Sequence, residues 1–307
     1  MIKSNTVLIL GAGASFDYGF PLGRPLLLEI GSELSSNSIN PFQTQLNRCG
    51  FSIEQLKEFG KELLNSMQPS VDAFLEKRME NKEFVEIGKL SIAAKLMPLE
   101  VPDNLRRGSN NRDMKWYEYL FGLLGARKEE FDKNKLAIIT FNYDRSLEYF
   151  LLAALSNTYA LDVSQAVEFL RSIPIVHIYG QLGELDLIDS TGRPYTPDFD
   201  SADLKKCASE ISIIHEYSEI TPSIVVAHQL MSDADTLCFL GFGYHDLNVQ
   251  RLEIDQSFNG NRFWGTAYGL KDGEAEKVQS LFNKKIELGY EGERILDFIR
   301  RKAVFIG

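Results

Sequence analysis

TVLILGAGAS, residues 6–15, decides how the rest of the chain is read. Thr6, Val7, Leu8, Ile9 and Leu10 carry no charge on either face, the composition of a central parallel strand. Gly11 and Gly13 follow at once, so the backbone can turn sharply and approach a ligand, with the Ser15 hydroxyl beside exposed amides. In α/β folds such a turn seats a pyrophosphate over backbone N–H groups. The expected fold class is therefore α/β, a Rossmann-like, mostly parallel sheet with helices on both faces and an inserted helical subdomain.

Four further segments read as core strands: LAIIT (136–140), IPIVHIY (173–179), TLCFLG (236–241) and FWGTAYG (263–269). VFIG (304–307) reads as another strand or a packed tail. DRSLEYFLLAALSN (144–157) is a helical pattern with Asp144 at an N-cap position. Strands alternating with helices imply a sheet covered on both faces.

Residues 25–135 break that rhythm. In FSIEQLKEFGKELLNSM, Phe51, Leu56, Phe59, Leu63 and Met67 recur near helical spacing until Pro69. SVDAFLEKR (70–78) predicts a second helix capped by Ser70, with Phe74 and Leu75 turned inward. KWYEYLFGLL (115–124) predicts an aromatic-rich third. The expected organisation is a core of residues 1–24 and 136–307 and a helical insertion of residues 25–135. Two polar stretches read as surface loops: VPDNLRRGSNNRDM (101–114) and GELDLIDSTGRPYTPDFDSADLK (183–205).

A chain of 307 residues, 44% hydrophobic and 25% charged, buries a large core. A net charge of −10 argues against a broad nucleic-acid surface. The local cluster Arg106, Arg107, Arg112 and Lys115 reads as a solvated loop rather than a basic patch. Cys49, Cys207 and Cys238 are odd in number and contain no C-x-x-C, which excludes an all-cysteine zinc ribbon and disfavours a disulfide framework. No apolar run approaches the ~18–20 residues of a membrane span, and a reducing cytoplasm is the expected location.

Three strand ends carry polar residues that would share a crevice with the glycine turn. TFNYD (140–144) offers Asn142 and Asp144, the latter a helix cap or a crevice residue. VHIYGQLG (176–183) places His177 and Tyr179 two apart, hence on one strand face, before Gly180. LGFGYHDLN (240–248) releases the backbone at Gly241 and Gly243, with Asp246 and Asn248 in reach of ribose hydroxyls, Asp246 also being a candidate cap.

Taken in order, GAGAS, FPLGR (20–24), TFNYD, H-x-Y-G and GFGYHDLN resemble the sirtuin-like NAD-binding fold. More closely they resemble the zinc-free sirtuin-like NADases of bacterial anti-phage defence, a group that also shares a segment like SVDAFLEKR. The resemblance implies that Gly11, Ala12, Gly13, Ala14 and Ser15 hold the NAD pyrophosphate. It implies that Phe20, Pro21 and Arg24 close over the nicotinamide side. Asn142 would position the nicotinamide ribose and the attacking water, with Asp144 nearby and His177 polarising a ribose hydroxyl or acting as general base. Gly241, Phe242, Gly243, Asp246 and Asn248 would line the adenosine half. In sirtuins the histidine directly precedes the glycine; here Tyr179 holds that slot and His177 would substitute.

The implied activity is hydrolysis of the nicotinamide–ribose bond, with NAD as substrate and no metal. Nicotinamide leaves neutral from a cationic ring, so catalysis rests on orienting water and stabilising charge on the ribose. An enzyme that depletes NAD needs control, which implies a homo-oligomer, joined by a partner such as an ATPase, with the aromatic helix at residues 116–124 as a contact surface. The main alternative is a non-catalytic module that senses NAD or ADP-ribose. An ordinary Rossmann oxidoreductase ranks last, because no ribose-binding acid ends a second strand about 20 residues after the glycines, Glu29 and Glu33 lying in helical sequence.

Overall fold

A computed structural model describes residues 1–105, 114–213 and 221–302. Six parallel strands, β1 (Thr6–Leu10), β2 (Leu136–Thr140), β3 (Ile175–His177), β4 (Thr236–Leu240), β5 (Arg262–Gly265) and β6 (Glu287–Leu288), form one sheet. Their order is β3-β2-β1-β4-β5-β6. This is the doubly wound Rossmann order, whose direction reverses between β1 and β4. Every residue of β1, β2 and β4 is buried, as their uncharged composition requires.

The helices are α1 (Gly23–Ser35), α2 (Pro41–Arg48), α3 (Ile53–Asn65), α4 (Val71–Glu76), α5 (Lys82–Leu96), α6 (Pro102–Leu105), α7 (Trp116–Leu123) and α8 (Ser146–Tyr159). The chain continues through α9 (Val163–Arg171), α10 (Ser201–Glu210), α11 (Pro222–Ser232), α12 (Asp246–Leu252), α13 (Ile254–Ser257), α14 (Asp272–Leu281) and α15 (Ile295–Arg301). The first seven fill the long interval between β1 and β2.

Local chemistry sets these helices. Ser52 and Gln55 form a reciprocal capping box at the start of α3, which buries Leu56, Phe59 and Leu63. Helix α1 crosses α3 where Gly31 faces Gly60; a Cβ on Gly60 would come within 2.6 Å of the Ser35 amide. Ser70 caps α4, and Phe74 meets Phe59 edge-on at 5.7 Å. Each fully buried phenylalanine contributes about 1.5–3 kcal/mol of transfer free energy.

Several expectations are corrected. Met67 leaves the α3 stripe: the helix ends at Asn65, and Met67 has φ 54° and is 79% exposed. The strand expected at 173–179 keeps only Ile175–His177, and that expected at 263–269 ends at Gly265. β6 was not anticipated, being two residues long. The stretch 183–205 is only in part a surface loop: Asp186, Leu187, Asp189, Ser190 and Thr191 are exposed, but other residues turn inward. Leu185, Arg193, Tyr195 and Leu204 are buried, and α10, which takes up its end, packs on α5 of the insert. What pulls it inward is a carboxylate: Glu100 binds the guanidinium groups of both Arg193 and Arg145. Arg145 also donates to the carbonyls of Glu184 and Arg193, at 2.9 Å each. VFIG, and Arg106, Arg107 and Arg112 of the loop at 101–114, lie outside the described residues.

The aromatic face expected to meet another copy is used inside the chain. Trp116, Tyr117 and Leu120 are buried. The Trp116 indole donates to the Ala14 carbonyl at 2.8 Å, and Tyr117 stacks on Tyr18 with ring centroids 3.7 Å apart. That helix is an internal tie between the insert and the glycine turn.

Candidate functional site

The glycine turn leaves β1 through two short 3-10 turns, Ala12–Ala14 and Phe16–Tyr18. Its glycines serve first to pack two turns together at the switch point. A Cβ on Gly11 or Gly13 would lie 2.7–2.8 Å from backbone atoms of Gly241 or Phe242. Gly241 itself has φ +59° and would place a Cβ 2.3 Å from the Ala14 amide. Most amides of the turn are also engaged: Gly11 donates to Leu240, Gly13 to Gly241, Ala14 to Gly11 and Ser15 to Ala12. Ala12, which is exposed, is the one of the five without an acceptor among the described residues.

The turn after β2 meets this one. Asn142 Nδ2 donates to the Gly11 carbonyl and to Ser15 Oγ, both at 3.0 Å. Ser15 Oγ donates onward to Asp144 Oδ2 at 2.7 Å. Asp144 also accepts from the amide and hydroxyl of Ser146, and the Ser146 hydroxyl bonds Tyr117 at 2.8 Å. Arg145 is the N-cap residue of α8, but the Asp144 side chain supplies the cap bond. Burial pushes the Asp144 pKa up against the serine hydrogen bonds, with Glu148 adding to the rise. Asn142 is half-buried, and its Oδ1 has no partner among the described residues, so it can accept from a water or ligand.

His177 closes the back of this network. Its Nδ1 lies 2.9 Å from the Asn142 carbonyl and its Nε2 2.5 Å from Glu148. The Asn142 carbonyl can only accept, so Nδ1 carries a proton, and a Glu148 carboxylate beside Nε2 favours the doubly protonated ring. Burial opposes that charge, but Glu148, the Asn142 carbonyl and Asp144 outweigh it, and the pKa is raised above the usual histidine value. With Glu148, His177 lines a groove of about 620 Å³ between β3, α9 and α11. It reaches Asn142 through the backbone and presents no lone pair to the crevice.

Tyr179 does not share a strand face with His177, because β3 ends at His177 and Tyr179 stands in the following turn. Its hydroxyl donates to Asn248 at 2.6 Å, and Arg251 lies over its ring. Burial drives its pKa up. Tyr179 and Phe242 pack edge-on against Phe141 at 5.4 and 5.0 Å, an aromatic floor beneath the strand ends.

The remaining residues stand at the margins. Phe20 is buried, Pro21 is half-buried, and Arg24 is exposed in the first turn of α1. Gly243 and Asp246 are exposed; Asp246 is the first residue of α12, makes no cap bond and pairs with Lys277 at 3.4 Å. Glu29 and Glu33 of α1 both bind Lys95 of α5. Cys49, Cys207 and Cys238 are free and buried.

Sequence reading missed Asp72, Tyr143, Glu148 and His245. Glu148 lies one turn after Asp144 on the face of α8 turned to His177, a spacing visible in the sequence. Nothing in the sequence announced that Asp72 of the insert would bond Tyr143.

A scan against models of known protein families finds no match, and a search of curated proteins finds none either.

Proposed function

We propose that this chain binds NAD across the ends of β1, β2 and β4 and hydrolyses its nicotinamide–ribose bond. The observation that carries the reading is the cluster of Ser15, Asn142 and Asp144, in which two motifs 127 residues apart share direct side-chain bonds. Those motifs are the ones whose order resembles the sirtuin-like NADases, and the sheet order has a switch point between β1 and β4, the place where doubly wound folds bind dinucleotides.

The chemistry follows from the contacts. Asn142 is held by two acceptors through Nδ2, which fixes Oδ1 as an acceptor for one water hydrogen. Water attacks ribose C1′ as nicotinamide leaves with the bonding electron pair and becomes neutral. The proton lost by the water passes through Ser15 Oγ to Asp144, whose raised pKa suits it as an acceptor. His177, as imidazolium, is a positioning residue that anchors the Asn142 carbonyl. The Ala12 amide, without an acceptor among the described residues, is the donor left for the pyrophosphate. The products are nicotinamide and ADP-ribose.

One observation favours a second reading, a module that binds NAD or ADP-ribose without cleaving it. His177 has both nitrogens engaged and Tyr179 is tied to Asn248, so neither supplies a free base. Incubating the purified chain with NAD and following nicotinamide by chromatography separates the two. Release that Asn142→Ala abolishes supports the enzyme; saturable binding without release supports the module. A role in anti-phage defence, in the cytoplasm, as a homo-oligomer or with a partner ATPase, belongs to the same proposal and rests on the family resemblance. No helix among the described residues is long and apolar enough to cross a membrane.

A further inference from the structure

The insert reaches the strand ends through α4. Asp72 and Glu76 lie one turn apart on that helix, hence on one face. Asp72 Oδ1 accepts a hydrogen bond from the hydroxyl of Tyr143, the residue between Asn142 and Asp144. Asp72 is half-buried as a residue, with its carboxyl group turned inward. Burial raises its pKa against the Tyr143 bond, its own amide and the nearby His245. His245 comes from the turn after β4, is exposed, and places its ring beside Gly243. Tyr179, from the turn after β3, is near enough to feel both Asp72 and Glu76. One carboxylate from the insert thus bonds the turn after β2 and acts electrostatically on groups in the turns after β3 and β4.

The FPLGR segment joins the same corner, since a Cβ on Gly23 would stand 3.2 Å from Ser70 at the head of α4. In an ordinary doubly wound site an acid at the end of β2 holds the adenosine ribose, which leaves the nicotinamide-side ribose to other groups. Here that end carries Asn142 and Asp144, and Asp144 is engaged by Ser15 and Ser146. Tyr143 occupies Oδ1 of Asp72 and leaves Oδ2 with acceptor capacity.

We propose that Asp72, supplied by the helical insert, is the carboxylate that holds the diol of the nicotinamide-side ribose next to Asn142. The assignment rests on the NAD reading given above. A carboxylate there accepts from vicinal hydroxyls and also opposes the positive charge that develops on that ribose during cleavage.

The test is calorimetric titration of the full chain with ADP-ribose, which carries this ribose, and with ADP, which lacks it. Asp72→Asn keeps the shape and an acceptor for Tyr143 while removing the charge. It should weaken ADP-ribose roughly 10- to 100-fold and leave ADP within about threefold, as expected for loss of a charged hydrogen bond. Tyr143→Phe, which frees Asp72 from its orienting donor, should weaken ADP-ribose selectively and to a smaller degree. Equal losses for both ligands, or no loss for ADP-ribose, would overturn the role of Asp72 while leaving the NAD site standing. Failure of the unsubstituted chain to bind either ligand would overturn the NAD reading itself, and this assignment with it.

Discussion

Asn142 Nδ2 stands 3.0 Å from Ser15 Oγ, although 127 residues separate the two in the chain. Between them lie the seven helices α1 to α7 of the described residues. The contact exists because β1 and β2 are neighbours in register, with Leu10 opposite Thr140, so the turns that follow them leave the sheet side by side. Ser15 then passes the contact to Asp144.

Ser15→Ala should therefore act on both catalysis and stability. It removes the bridge between Asn142 and Asp144 and one donor to a buried carboxylate. Nicotinamide release should fall on the order of 100-fold through misplaced water, and the fold should lose about 1–3 kcal/mol. Denaturant melts and initial rates measure the two effects; an unaltered rate would remove Ser15 from the chemistry.

The pair of His177 and Glu148 makes stability depend on pH. A histidine whose folded pKa is raised stabilises the native state fully below its unfolded value, about 6.5. That contribution is lost as pH rises through the higher folded value. The melting temperature of the unsubstituted chain should thus drop more steeply above pH 6.5 than that of His177→Gln. Parallel curves would show that the imidazolium is not part of the folded state.

Two glycines of the same motif should behave differently. Gly241→Ala puts a side chain at φ +59° and 2.3 Å from the Ala14 amide, where only backbone could yield. It should cost more than about 2 kcal/mol and displace the glycine turn. At Gly243 a Cβ meets only the end of the His245 ring, at 3.3 Å, and alanine there should be tolerated. Thermal melts of the two variants compare them directly.

Glu100 is a buried anion facing two arginines. Glu100→Gln leaves both guanidinium groups underpaired and should destabilise by about 3–5 kcal/mol. The loss should expose the stretch at 183–205 to proteolysis, detectable by limited digestion. A variant as resistant as the unsubstituted chain would mean that this stretch is held by other contacts.

The sheet was legible from the sequence because uncharged five-residue runs ending in glycine or polar turns have few other uses; β1 and β2 match their expected limits. The motif residues Ser15, Asn142 and Asp144 were legible because strand ends converge in a parallel sheet. Long-range pairing was not. His177 looked like a crevice residue on strand alternation alone, but β3 stops at His177 and its ring turns to Glu148, a partner 29 residues away. The stretch at 183–205 looked like a solvated loop because its polar residues outnumber its apolar ones, yet Arg193 is drawn inside by Glu100, 93 residues earlier. Helix α7 offered an apolar face that reads as a contact surface for another chain, yet Trp116 and Tyr117 pack on the glycine turn of the same chain.

The most direct measurement is nicotinamide release from NAD by the purified chain, compared with Asn142→Ala under the same conditions. The account predicts stoichiometric nicotinamide and ADP-ribose from the unsubstituted protein, and at least a 100-fold drop (an order-of-magnitude expectation for lost water placement) in a variant that remains folded. Equal release by the two proteins would contradict the claim that Asn142 orients the attacking water.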